Sequence, residues 1–422
     1  MASSPKMQSH DGNTENQTAG LHFVARRAIL DARGRDHAYK LLFRPGAATE
    51  VEEGLHSLAE SAKYFGLEKP HELKKLTGGL MAFVACPVES LSADLAQHLA
   101  ANLTVLEIHP GAGFTEEHLE VCHELKSLGF KLALDGVARK PELQGLTQVA
   151  DYIQVDFAQS NPEARRNWFE QMRGKPAAML ATNVETQAEY KQARLEGFTL
   201  FEGDFLCQPV AAKNRRPPAN QLLRIEILQA LQKNPLDLPK VADLVKRDGP
   251  LTYQLLRLVN SPMWGLREQV QSIQTALMVV GDDAFRRVAL MAIATEFNGE
   301  QPAEILCIAM VRGHFCETAG ATLALDPFEQ YLLGLLSLLP AMQGQSMSQV
   351  VPALPLSPEI REALLGTANR QRVLLGWLES YERGDWAQCD AAAQADGLRQ
   401  QELVSHYLKA VAWAEAALHP SY

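Results

Sequence analysis

The segment LHFVARRAILDARGRDHAYKLLFR, residues 21–44, holds two apolar runs separated only by DARGRDH. That spacer is too short for a crossover helix, so the runs are expected to pair as an antiparallel hairpin turning at Gly34. In the second run, AYKLLFR (38–44), period-2 alternation puts Leu41 and Phe43 on one side and Lys40, Leu42 and Arg44 on the other. A barrel-type strand usually buries both faces, so a lysine beside Leu42 asks what that face looks into.

Six further apolar runs follow: MAFVAC (81–86), TVLEIH (104–109), KLALDG (131–136), YIQVDF (152–157), AAMLAT (177–182) and FTLFEGDF (198–205). They recur every 21–27 residues, with amphipathic stretches such as LSADLAQHLA and TEEHLEVCHELKSLG, which read as helices, between them. Strand–helix–strand at this pitch implies a parallel sheet, and eight strands predict a (β/α)8-type barrel with an inverted first strand over residues 21–210. An open sheet of the same strands is the alternative. Residues 1–20 are polar and are expected to form a disordered tail. KNRRPP (213–218) marks a linker at 211–218. From 219 to 422 only helical periodicity appears, so the chain is expected to be multidomain, α/β followed by all-α, with a helical extension from about 357.

Composition narrows the function. Apolar residues make up 46% of the chain and charged residues 21%, with a formal net charge of −10, which disfavours nucleic acid and anionic membranes as partners. The six cysteines show no metal-ligand spacing and read as reduced thiols. There is no export signal in residues 1–20, and no apolar run approaches the roughly 18–20 residues of a membrane span; YLLGLLSLLPAM (331–342) reads as a buried helix. A cytoplasmic location is expected. His118 and Cys122, four apart on a helix, either touch one metal or lie on a solvated face. GAGFTE (111–116) lacks the third glycine of a dinucleotide loop, and no Walker A sequence occurs.

Polar residues near the predicted strand ends are Arg44, Glu107, Asp135, Asp156, Glu185 and Asp204. A ring of carboxylates is how a barrel holds Mg²⁺, whereas isolated acids at strand ends serve as caps or solvated loop residues. The stretches FVARRAILDARGRDHAYKLLFR, LKSLGFKLALDGVA, DYIQVD, NVETQAEY and GFTLFEGDFLCQP together resemble the EAL domain of cyclic-di-GMP signalling, over about residues 21–210. That resemblance implies a two-metal phosphodiesterase site, and a barrel whose first strand is inverted. Most of the implied ligands are missing. Lys40 stands where the motif's metal-binding Glu belongs, although Leu42 and Arg44 match. The ligating Asn falls on Ala85, or on Cys86 if the register slips by one. Glu107 fits the strand Glu. Of the Asp-Asp pair Asp135 is kept and the second is Gly136. The family's Lys is Gln154, with Asp156 retained; Glu185 matches, and the closing Gln is Glu202.

A lysine at a ligand position deletes a carboxylate and places a positive charge where the cation belongs. Two like charges a few ångströms apart repel by several kcal/mol even at an effective dielectric of about 20. The expectation is a non-catalytic barrel in which Lys40 pairs with Glu107, Asp135 or Asp156, or else extends to the mouth. No cofactor is expected, Mg²⁺ included. Arg44 suits a phosphate, since a guanidinium binds its oxygens bidentately.

The helical half resembles the HDOD domain, a relative of the HD phosphohydrolases, through LPKVADLVKRDGPLTYQLLRLVNSPMWGLREQVQSIQTALMVVGDDAFRRVALM. Asp248 and Pro250 open a helix there and Gly281 ends one. Where the resemblance would put a His-Asp dyad, GLLSLL supplies Ser337 and Leu338. The only His-Asp dipeptide is His10-Asp11, and of His314, His406 and His419 none is paired at i,i+4, so His314 reads as a packing or cap residue. The expected function is signal-transduction regulation through protein partners, in or near cyclic-di-GMP signalling. A cyclic-di-GMP receptor without hydrolysis is the alternative, and a residual phosphodiesterase the third reading. Homo-oligomerisation is left open.

Overall fold

The structure, a computed structural model, describes residues 23–44, 58, 62–110, 113–135, 144–209, 220–261, 264–266 and 268–418. The expected tail at 1–20, the linker at 211–218, Gly136 and His419 lie outside the described residues.

Eight strands close into a barrel in chain order: β1 (Phe23–Asp31), β2 (Asp36–Arg44), β3 (Met81–Pro87), β4 (Thr104–His109), β5 (Lys131–Leu134), β6 (Tyr152–Asp156), β7 (Ala178–Thr182) and β8 (Leu200–Glu202). β1 runs antiparallel to both β2 and β8, and all other neighbours are parallel. The inverted first strand expected from the short spacer is present. The turn is built locally: Gly34 takes φ +74, and the Asp31 carboxylate accepts from the backbone N–H groups of Arg33 and Arg35 at 2.8 and 3.0 Å.

Between β4 and β5 the expected helix forms as Glu116–Ser127. Between β3 and β4 it does not. Leu91, Leu95 and Leu99 are buried as the helical spacing requires, but the chain gets there through short 3₁₀ turns.

Inside the barrel each strand contributes one residue to an apolar layer: Ile29, Ala38, Phe83, Val105, Ala133, Tyr152, Leu180 and Leu200. This plug fills the end of the barrel away from the mouth.

After β8 the described residues are helical. The longest helices are Asp282–Asn298, Ala303–Gly320 and Gln400–Leu418, and no helix is long and apolar enough to cross a membrane among the described residues. Asp248 caps the helix Gly249–Val259 by accepting from Leu251 N–H, and Gly281 separates Ile273–Val280 from Asp282–Asn298.

The helical half completes the barrel. β1 meets β8 only over Ile29–Asp31, which leaves the earlier part of that seam open. Backbone polar groups there need partners once buried. The Tyr381 hydroxyl accepts from Val24 N–H (3.1 Å) and donates to Val24 C=O (2.9 Å), while the Tyr407 hydroxyl accepts from Arg26 N–H (3.3 Å). Because no crossover helix follows β1, its outer face is covered by the C-terminal helices instead. Arg26 reaches Glu415 (2.6 Å) and lies 4.2 Å over the Tyr39 ring, and Tyr39 donates to Glu304 (2.6 Å).

Candidate functional site

Two residues nearer the mouth than the apolar plug, the strands contribute Arg27, Lys40, Ala85, Glu107, Asp135, Gln154, Thr182 and Glu202. This layer is what the Lys40 face of β2 looks into. It holds three carboxylates and two cations: Glu107 and Glu202 each face one of the cations, and Asp135 faces His109 from outside the layer.

Lys40 Nζ lies 3.2 Å from Glu107 Oε2, so the expected ion pair forms with Glu107. Glu107 is fully buried, and its other oxygen accepts from Gln154 Nε2 at 2.6 Å. Burial opposes the charge on Lys40, yet Glu107 and then Glu202 outweigh it and hold the ammonium above its ordinary pKa. Across the ring, Arg27 Nε lies 2.9 Å from the buried Glu202 and its Nη2 2.8 Å from Asp204. The third carboxylate, Asp135, accepts from His109 Nε2 at 2.7 Å; that bond, against the cost of burial, raises the imidazole pKa.

The strand register decides between Ala85 and Cys86. Ala85 pairs with Glu107 and shares its inward face, whereas Cys86 is buried on the outer side, its thiol pushed up to about 12 by burial. Asp156 sits above the ring, accepting from Gln159 N–H and Asn183 Nδ2, each at 2.9 Å. Glu185 is exposed, and its backbone N–H donates to Glu189 in a helix cap. Leu42 keeps the inward phase of β2 but reaches the rim, where its Cδ1 would lie 3.0 Å from a Cβ at Gly384. Arg44 is also at the rim, bidentate on Asp390 through contacts of 2.8 and 2.5 Å. Its guanidinium covers the ring of Phe23 at 4.8 Å.

His118 and Cys122 do not converge. His118 joins the Thr115 capping box at 2.8 Å, and Cys122 is fully buried. No group of three or more His, Cys, Asp or Glu side chains is placed to share a metal among the described residues.

Arg27, His109 and Asn183 were not singled out in the sequence. Arg27 follows from strand phase once Ile29 is known to face inward, because i and i−2 share a face. The contacts of His109 and Asn183 cross between strands and left no local signal.

In the helical half, Ser337 and Leu338 lie at a cavity of about 290 Å³ beside the β1–β8 seam, together with Arg27, Asp204 and Glu304. Arg312 Nη1 donates to Ser337 Oγ at 3.2 Å, and the same guanidinium grips Glu382 at 2.7 Å. His314 stacks on Trp413 with centroids 4.5 Å apart, which fits its reading as a packing residue.

Residues 218–326 match the HDOD domain. The helical half carries an HDOD domain. Over nearly its whole length the chain is also similar to two bacterial proteins. YuxH of Bacillus subtilis is 28% identical over 411 residues, covering 93% of this chain and 97% of that protein. The cyclic di-GMP phosphodiesterase CdgJ of Vibrio cholerae is 27% identical over 404 residues, covering 93% and 92%. Among solved structures, Bacillus subtilis YkuI, with an EAL domain and bound c-di-GMP and calcium, is 18% identical with a TM-score of 0.36, covering 56% of this chain and 67% of that one. A likeness that low assigns no residue a role. The expected order, an eight-stranded barrel followed by an HDOD domain, accords with the strand topology and with the HDOD match.

The residues of the ring do not fit a pair of divalent cations. Two of the three carboxylates already carry a side-chain cation at 3.2 and 2.9 Å, and a metal would have to displace it. At 4 Å each added unit of positive charge costs about 4 kcal/mol against an existing cation, at an effective dielectric of about 20.

Proposed function

We propose that this chain is a non-catalytic regulator in cyclic-di-GMP signalling that acts by binding protein partners. The observation that carries the reading is the Lys40–Glu107 pair, reinforced by Arg27 on Glu202. A protein cation stands on Glu107, the strand acid that a two-metal phosphodiesterase would use to clamp metal and activate water, and a second cation stands beside it on Glu202, where such a site would have a Gln. CdgJ is named as a phosphodiesterase, but at 27% identity its activity does not transfer to a ring with this composition.

Nucleotide binding without hydrolysis is less well supported. Arg44, the guanidinium suited to a phosphate, is committed to Asp390.

The test is to incubate the full chain with cyclic-di-GMP and Mg²⁺ or Mn²⁺, measuring the linear dinucleotide product, alongside calorimetric titration with and without metal. No turnover is expected. Metal-dependent turnover that Asp135→Asn abolishes would overturn the proposal.

A further inference from the structure

Five arginines are buried among the described residues: Arg26, Arg165, Arg224, Arg286 and Arg312. Four of them carry a carboxylate: Glu415 at 2.6 Å, Glu196 at 2.6 Å, Asp248 at 3.1 Å and Glu382 at 2.7 Å respectively. Arg286 is the exception. It is 9% exposed and donates through Nη2 to the Lys233 carbonyl at 2.7 Å, but its buried Nε has no hydrogen-bond partner among the described residues. A guanidinium removed from water without an anion is costly, so an unmatched one marks a place where an anion is to be supplied.

Arg286 lines a cavity of about 410 Å³ in the helical half. The guanidinium lies 5.5 Å from the centroid of the Phe328 ring, and the walls continue as Leu332, Leu356 and Ile360. Asp326 and Glu329 also line the cavity; Asp326 is spent on the cap of its own helix, where it accepts from Glu329 N–H at 2.8 Å. Neither acid reaches Arg286 as an ion pair, so the cavity has a cation, aliphatic walls and acids that disfavour a heavily anionic ligand.

We infer that this cavity binds a partner protein through one acidic side chain flanked by leucine-like residues, its carboxylate on Arg286 and its apolar neighbours against Leu332, Leu356 and Ile360. Guanidinium–carboxylate pairing supplies the anchor and its orientation, and Leu332, Leu356 and Ile360, none more than 8% exposed, add a small apolar floor beside it. The inference rests on the protein-binding reading above and gives that binding a place in the helical half, remote from the barrel ring.

The test is selection of peptides displayed on phage against the full chain, with fluorescence anisotropy of a synthetic winner. Expected winners place one Asp or Glu beside Leu, Ile or Met. Arg286→Gln is expected to weaken the winner at least tenfold, with Arg286→Lys in between, while Glu329→Gln tightens it several-fold by removing a like charge. No enrichment of such peptides, or an affinity indifferent to both Arg286→Gln and Glu329→Gln, would overturn the inference. If Arg286→Gln does not fold, Glu329→Gln decides alone. Hexanoate competing as well as the peptide would also overturn it, by making the cavity a site for a small carboxylic acid. These outcomes are independent of the turnover assay, so either proposal can fail without the other.

Discussion

Replacing Lys40 by Met keeps an unbranched side chain, one atom shorter, and removes the ammonium. Glu107 is then a fully buried carboxylate whose remaining donor is Gln154 Nε2 at 2.6 Å. Removing one partner of a buried ion pair costs about 3–5 kcal/mol when the other stays charged. The cost has a ceiling, because the carboxylate can take up a proton instead. Holding a proton at pH 7 costs a group of ordinary glutamate pKa about 3.7 kcal/mol, and about 1.4 kcal/mol less for each unit of lower pH. The Gln154 hydrogen bond and the partial exposure of Lys40, 19% of its side chain, bring the expected loss down to about 2–3 kcal/mol at pH 7. At pH 5 the ceiling is about 1 kcal/mol, so most of the loss should vanish. The sign follows from linkage: in the variant the folded state binds a proton that the unfolded state has released, so its stability rises as pH falls. Urea unfolding of wild type and Lys40→Met at the two pH values, with a near-ultraviolet signal, measures both terms. A loss below about 0.5 kcal/mol at pH 7, or one of equal size at pH 5, would refute the view that Lys40 neutralises Glu107.

Two further outcomes test the contacts between barrel and helices. Burial pushes the Glu304 carboxyl up to about 8, only partly offset by Arg26. The folded state therefore keeps a proton that the unfolded state loses near 4.5, and stability should fall by up to about 1.4 kcal/mol per unit as pH rises from there towards 8. Glu304→Gln should flatten that slope in urea titrations, and a variant with the wild-type slope would show that Glu304 is not its source. The Arg44–Asp390 pair joins side chains 22% and 45% exposed, so a double-mutant cycle should give a coupling of no more than about 1 kcal/mol, weakened by salt. Burial works against the Asp390 charge, but the hydrogen bonds from Arg44 and Gln400 hold its carboxyl below the ordinary range, so this contribution should be present at neutral pH and fade as pH falls through that lowered value. A coupling of zero in low salt would show that the pair does not clamp the rim.

The barrel was legible in the sequence because its signals are local. The spacer DARGRDH excludes a crossover, Gly34 supplies the positive φ, and strand phase puts Lys40 on the face of Leu42, which the EAL resemblance turned towards the barrel interior. Register then settled what spacing could not: Ala85, paired with Glu107, and not Cys86, lies on the ring. Arg44 illustrates what was hidden. Its residue type suited a phosphate, but Asp390 is 346 positions away, and no periodicity links the two. Glu185, an acid in a matching stretch, is exposed with its backbone N–H on Glu189 in a helix cap, a placement the stretch itself does not signal. Residue type and spacing report the strand and its face, while pairing between distant elements is decided only when the chain closes.

That closure also explains why the helical half packs onto the barrel through β1. A first strand that enters antiparallel, without a crossover helix, leaves an outer face and part of the β1–β8 seam uncovered. The same inversion would leave the Val24 and Arg26 backbone groups without partners, and Tyr381 and Tyr407 supply them. Arg26 and Tyr39, on the outer face, then engage Glu415 and Glu304. One residue further along, Arg27 turns inward onto Glu202 while also lining the cavity beside Ser337. Adjacent arginines of a single strand thus hold the helical half on one side and the barrel ring on the other. Contacts between the two halves thus fall on both strands of the hairpin, β1 through Arg26 and β2 through Tyr39 and Arg44, the segment whose short spacer made the first strand enter in reverse.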